Sequence, residues 1–270
     1  MNSFGLPPGT DHRSWKGRNF RLDLMYSVAG VSTSMFLTTT DGMLLVDTGD
    51  GALRDMLSLG RKMLGESDYT DNESLEALSN MVTGVLITHP HFDHYAGLLP
   101  LVNFLQLIGR KNPLPVIYPE GGKAVELIAD HYMDNLFEES LYDLDLFSMG
   151  DRDRINLGSL EIEARDTIHR DSRPGHVGVR IPAVGYSVRK GDERLVFSGD
   201  TGDAKSLKEF AEGADLLVAE ATYPEPGDLS EGVHLTIEEA LEAGSAAKEL
   251  MLIHFTGSSY KIAKENKLVP

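Results

Sequence analysis

The segment THPHFDH, Thr88 to His94, sets three histidines and an aspartate within seven residues, directly behind the apolar run Met81 to Ile87. No other stretch limits the chain so tightly. Polar groups stacked at the mouth of a buried strand need a compensating partner, because desolvating them alone is costly. His89 and His91, two apart in extended chain, can point the same way toward one cation. Asp93 and His94, past a turn, can face a second. Cysteine is absent, so a metal would be held by nitrogen and oxygen alone. Two later strands end in similar residues: Asp200 follows Leu195-Val196-Phe197, and His254 follows Met251-Leu252-Ile253. Open sheets build sites at the carboxyl ends of their strands, so the three segments can converge on one crevice.

Hydrophobic periodicity supplies the frame. Strands are expected at Leu22 to Ser27, Ser34 to Thr38, Met43 to Val46, Gly84 to Thr88 and Pro115 to Tyr118. Helical spacing covers Ala52 to Leu64, Glu73 to Asn80, Tyr95 to Ile108 and Gly122 to Phe137. In the second half a strand pair is expected over Asp151 to Glu163, and a hairpin from Val184 to Val188 and Arg194 to Phe197. Helices Ala204 to Glu212 and Thr236 to Ala247 alternate there with strands Leu216 to Glu220 and Leu250 to His254. No repeat or linker divides the chain, so residues 22–270 are expected as one domain behind an N-terminal extension, residues 1–21. Mixed sheets covered by helices are the natural packing.

The 42 acidic residues outnumber the 25 basic ones, for a net charge of -17. Such a charge repels phosphate backbones at long range and argues against a nucleic-acid partner. The polar opening has no apolar signal region and no later segment reaches membrane-spanning length, so a cytoplasmic protein without a membrane partner is expected. A homodimer stays open.

THPHFDH resembles the His-x-His-x-Asp-His signature of the metallo-β-lactamase superfamily. LLVDTGDG resembles that superfamily's early strand and turn, SGDT its bridging-aspartate loop, and LMLIHF its last histidine strand. The likeness implies an α/β fold, a four-layer αββα sandwich of two mixed sheets flanked by helices. It also implies two divalent metal ions, zinc first, with manganese or iron accepted by the same donors. By that pattern His89, His91 and a third histidine hold the first ion, Asp93, His94 and His254 the second, and Asp200 lies between. His169 and His176 are the two candidates for the third histidine. PGH resembles the usual third-ligand turn, and the branch comparison sets the histidine near Val179, so His176 is preferred.

GRKNPLPVIYPEGG, DLLVAEATYPEPG, HLTIEEALEAG and HFTGSSY resemble segments of the ribonuclease Z-like phosphodiesterase branch. This likeness makes Glu220 and His234 a proton-handling pair. The branch's basic arm is not matched between Ile117 and Ile162, and Ser259 stands where an arginine is common. The expected function is therefore a two-metal hydrolase acting on a small or cyclic phosphodiester. A metal-bridging water would lose its proton and attack, Asp93 would orient it, and His234, held by Glu220, would protonate the leaving oxygen. Three alternatives remain: transfer-RNA 3′-processing of the ribonuclease Z type, hydrolysis of carboxyl esters, lactones or thioesters on the same site, and a catalytically silent metal-binding module.

Overall fold

A computed structural model describes residues 12–63, 72–133, 140–173, 176–227 and 232–269. Two sheets face each other, and each changes from antiparallel to parallel pairing partway across. The first contains β1 (Arg13–Lys16), β2 (Arg21–Val28), β3 (Ser32–Thr39), β4 (Gly42–Thr48), β5 (Val82–Leu86), β6 (Leu114–Pro119) and β7 (Leu144–Met149), in that spatial order. Pairing is antiparallel up to β4 and parallel from β4 to β7. The parallel links need crossovers, and helices supply them. These are α1 (Ala52–Met63) and α2 (Asn72–Met81), then α3 (Phe92–Tyr95) and α4 (Leu98–Leu107), then α5 (Lys123–His131).

The second sheet contains β8 (Arg154–Leu157), β9 (Leu160–Asp166), β12 (Val184–Lys190), β13 (Glu193–Phe197), β14 (Leu216–Glu220) and β15 (Glu249–Ile253). Their spatial order is β15-β14-β13-β12-β9-β8. The helices α6 (Ala204–Ala211), α7 (Ile237–Gly244) and α8 (Gly257–Glu265) accompany it. Between β9 and β12 a separate antiparallel ribbon stands out, formed by β10 (Arg170–Arg173) and β11 (His176–Arg180).

Side chains alternate across each strand, and this alternation makes the layers. Met35, Leu37, Leu44 and Val46 enter the core between the sheets, where they meet Leu195, Phe197, Leu216 and Val218. Phe36, Met43 and Leu45 turn instead toward α1 and α4, against Met56, Leu59 and Leu101. Val196, Leu217 and Ala219 do the same on the other side, against Leu207, Ala240 and Ala243. The result is helix, sheet, sheet, helix. Truncating Phe197 to alanine would cost about 3–5 kcal/mol, because the cavity would open where the two sheets meet.

Residues 13–16, assigned above to an extension, form the edge strand β1 paired with β2. The expected helix from Gly122 to Phe137 runs from Lys123 to His131 as α5, and its tail at residues 134–139 lies outside the described residues. No helix among the described residues is long and apolar enough to cross a membrane.

Candidate metal centre

Strand direction decides where the polar groups gather. β9 and β13 are both antiparallel to β12, so they run the same way, and β14 and β15 are parallel to β13. Their carboxyl ends therefore share one edge. Two bonds fix that edge to the end of β5: Val184 N donates to Thr88 O at 2.9 Å, and the Tyr186 hydroxyl donates to Ile87 O at 2.9 Å. The motif after β5 thus meets His169 after β9, Asp200 after β13, Glu220 ending β14 and His254 after β15. Close backbone approach is needed here too. A β-carbon on Gly97 would run into the carbonyls of Gly49 and Thr48, so only glycine lets the motif's exit lie on the turn after β4.

Asp200 is the hub. Its Oδ2 lies 3.5 Å from His89 Nε2, 3.6 Å from both His94 Nε2 and His254 Nε2, and 3.7 Å from both His169 Nε2 and His234 Nδ1. Donor atoms sort into groups around it: His89, His91, His169 and Asp200 on one side, Asp93, His94 and His254 on the other, and Asp200, His234 and His254 as a third set. Asp93 is anchored by Gly30 N at 2.8 Å and sits 3.2 Å from His254 Nε2.

The histidine that the structure brings to His89, His91 and Asp200 is His169, and the preference for His176 is corrected on that placement. His169 is fully buried, 3.1 Å from His91 Nδ1, whereas His176 is exposed on the ribbon. DTIH directly follows a strand, as the other site segments do. The PG turn that drew attention to His176 lies at residues 174–175, outside the described residues, and the ribbon carries His176 away from the cluster.

The imidazoles are oriented from behind. His94 Nδ1 donates to Asp47 Oδ2 at 2.7 Å, and His169 Nδ1 to Val233 O at 2.7 Å. Thr88 gives its hydroxyl proton to Asp47 at 2.9 Å and so accepts from His89 Nδ1 at 3.1 Å. Thr222 likewise donates to Glu220 Oε2 at 2.5 Å and accepts from His254 Nδ1 at 2.8 Å. Each of these bonds leaves an Nε2 lone pair pointing inward. His94 Nε2 and His254 Nε2 then face each other at 3.2 Å, and His89 Nε2 faces His91 Nδ1 at 3.1 Å. Lone pairs so close repel unless a positive charge sits among them. These residues fit metal ions.

The titration behaviour agrees. Burial drives His89 and His169 below the ordinary imidazole value, His169 to about 3, which keeps them neutral and able to ligate. Burial also opposes charge on His94, but Asp200, Asp47 and Asp93 outweigh it and raise that group to about 10. A proton there takes the place a cation would fill. Burial works against ionised Asp93 and Asp200 as well, yet the surrounding imidazoles, His94 and His254 foremost, hold both below the usual carboxylate range.

Beside Asp200, His234 Nδ1 donates to Glu220 Oε1 at 3.0 Å, and Glu220 also accepts from Thr201 N at 2.8 Å. Burial disfavours a charged His234, but the Glu220 and Asp200 carboxylates prevail and raise it to about 9. His234 turns this same Nδ1 toward Asp200, whereas His89, His94, His169 and His254 turn Nε2 there, which distinguishes it from the convergent imidazoles.

Sequence reasoning missed Asp47 and Thr222. Asp47, next to last in the largely apolar strand β4, has φ 57°, a left-handed value shared by His254 at φ 58°. An aspartate closing a buried strand, and a threonine two residues after a buried glutamate, were the available signals. Ser259, read above as a missing arginine, is fully buried and completes the capping box of α8 with Thr256.

The sequence pattern of the family described as beta-lactamase superfamily domain matches residues 44–255. The chain belongs to the metallo-β-lactamase superfamily. This superfamily member is a metal-dependent hydrolase, and its segments align with ribonuclease Z of Thermococcus kodakarensis at 26% identity, over 79% of this chain and 74% of that protein. The metallo-β-lactamase fold protein YhfI of Bacillus subtilis superposes with a TM-score of 0.66 at 22% identity, over 93% of each chain. Human tRNase Z, short form, superposes with a TM-score of 0.62 at 19% identity, over 85% of this chain and 90% of that one. The ribonuclease Z relative overturns the inference from net charge that a nucleic-acid partner is unlikely. The total of -17 is a sum over the whole chain, whereas a bound polymer responds to the local field at the site.

Proposed function

We propose that this metallo-β-lactamase superfamily member is a phosphodiesterase of the ribonuclease Z type, with two zinc ions and RNA as the substrate class. The observation that carries the reading is the Glu220–His234 pair held beside Asp200. A ribose alkoxide is a poor leaving group and departs with a proton supplied in the transition state. His234 is built to supply one: Glu220 fixes its ring through Nδ1, and the two carboxylates keep it protonated at neutral pH. The name of the aligned relative from Thermococcus kodakarensis supports the same chemistry.

His89, His91 and His169 would hold one ion, and Asp93, His94 and His254 the other, with Asp200 shared. Neutral imidazoles with two carboxylates and no thiolate suit zinc. When bound, the ions supply the Lewis acidity that activates water near neutral pH and offsets charge growing on phosphorus. Asp93, anchored by Gly30 N, orients the attacking water, and His234 returns a proton to the departing oxygen. The test is a zinc-loaded preparation incubated with a transfer-RNA precursor carrying a 3′ extension. A single cut releasing that extension is expected. Hydrolysis confined to small or cyclic phosphodiesters would overturn the RNA assignment, and hydrolysis of carboxyl esters or lactones alone would overturn the phosphodiesterase reading altogether.

A further inference from the structure

Phe92 stands between His91 and Asp93, yet 74% of it is exposed. Its two neighbours contribute donors to the cluster, so a large apolar ring lies open beside the most polar place in the molecule. The ring is not loose. It stacks on Tyr95 with centroids 5.3 Å apart and planes 26° from parallel. The turn beneath is closed by His94 N bonding to His91 O at 2.9 Å and Ala96 N to Phe92 O at 3.0 Å. Gly97 N then bonds to Thr48 O at 2.7 Å, which fixes α3 to the end of β4. One face of Phe92 is therefore occupied and oriented, and the other is offered to solvent.

We propose that Phe92, backed by Tyr95, is a stacking platform for the nucleobase adjoining the scissile phosphodiester. The inference rests on the phosphodiesterase reading above. Unpaired bases present a flat π-face, and protein aromatics bind such faces with little regard to sequence. A ring already stacked from below loses little freedom when a base lands on it, so most of the contact energy appears as affinity. Location argues for the base next to the cut. Phe92 shares the short helix α3 with Asp93 and His94, both in the donor cluster, so a base on its ring belongs close to the reacting phosphate rather than to a remote stretch of polymer. The acidic balance of the chain makes such a contact useful, because stacking needs no counterion release.

The experiment uses the full zinc-loaded chain and short single-stranded RNAs carrying 2-aminopurine at successive positions, with fluorescence read by rapid mixing before turnover. Wild-type protein should quench the probe at one position. Phe92→Ala should lose that quench and raise KM roughly 5- to 150-fold, the range of one base–aromatic stack, with a smaller change in kcat. Phe92→Trp should keep both properties. An abasic site at that position should bring wild type down to the Phe92→Ala level and cost the variant nothing further. Unchanged quenching in Phe92→Ala, additive losses from the variant and the abasic site, or failure of Phe92→Trp to rescue would overturn the platform. A changed sedimentation profile with unchanged fluorescence would assign Phe92 to a second copy of the chain and overturn it too. RNA that is quenched through Phe92 but never cut would support the platform while sinking the phosphodiesterase reading.

Discussion

The two sides of Asp200 are held differently. On one side His94 and His254 are each only 2% exposed, and their Nδ1 atoms are tied to Asp47 and to the Thr222–Glu220 relay. On the other side His89 and His169 are buried and tied as well, to Thr88 and Val233 O, but the third imidazole, His91, is 31% exposed, and among the described residues its outer nitrogen meets only the exposed Asp171, at 3.9 Å. Buried acceptors raise ligand basicity and fix ring orientation, and a ligand without them is freer to move. The enclosed side would hold an ion the more firmly. The open side, with exposed Phe92 next to His91 in the chain, is where substrate can approach.

Six variants can break or sharpen this contrast. The largest effect is expected from Asp200→Ala, which removes the carboxylate common to both sides. The ions would then repel each other uncompensated at close range, so metal content should fall and turnover should drop to background. An Asp200→Ala protein that keeps two ions at normal affinity would refute the hub. Next, His169→Ala should empty the open side alone and abolish turnover, while His176→Ala leaves both stoichiometry and activity unchanged. Elemental analysis after dialysis distinguishes the two, and the opposite pattern would restore His176.

His234→Ala tests the proton rather than the ions. Loss of a general acid should slow nucleoside phosphodiesters by roughly 10²–10⁴-fold and nitrophenyl diesters much less, with both ions retained. Glu220→Gln should show the same leaving-group pattern in milder form. Equal losses on both substrates would make His234 a positioning group instead. The smallest effect is expected from Asp47→Asn, which touches no ion and acts through His94. Chelator competition should read a 10- to 100-fold weaker hold, roughly, on the enclosed ion. A variant that loses the open-side ion first would reverse the comparison.

The same contrast marks what the sequence could reveal. THPHFDH is one continuous segment running from β5 into α3, so the gathering of its four polar side chains was legible from spacing, and the strands that precede Asp200 and His254 were legible from their apolar runs. His169 against His176 was not, because the choice depends on where a ribbon leaves the sheet edge, and Arg170, Ser172 and Arg180 carry no apolar alternation to announce it. β1 was hidden for a related reason: Arg13, Ser14 and Lys16 make a polar edge strand that buries little. β7 lay inside an acidic segment, and its pairing with β6 depends on a parallel crossover that no local signal encodes. Asp47 looked like part of a turn because its task, holding Thr88 and His94 from 41 and 47 residues away, exists only in the folded chain.

Asp47 and His254 both occupy left-handed backbone without being glycine. A β-carbon in that conformation costs roughly 1–2 kcal/mol, and a short polar side chain such as aspartate offsets part of it by bonding locally. Glycine at either position would relax the main chain and delete the side chain that the site uses. Natural selection on durability and natural selection on chemistry therefore pull in opposite directions at these two positions. A lineage that no longer needed the reaction would be expected to drift toward glycine or asparagine there, with His254 the first to go. Anyone hardening this enzyme against heat by replacing awkward backbone positions should leave these two alone.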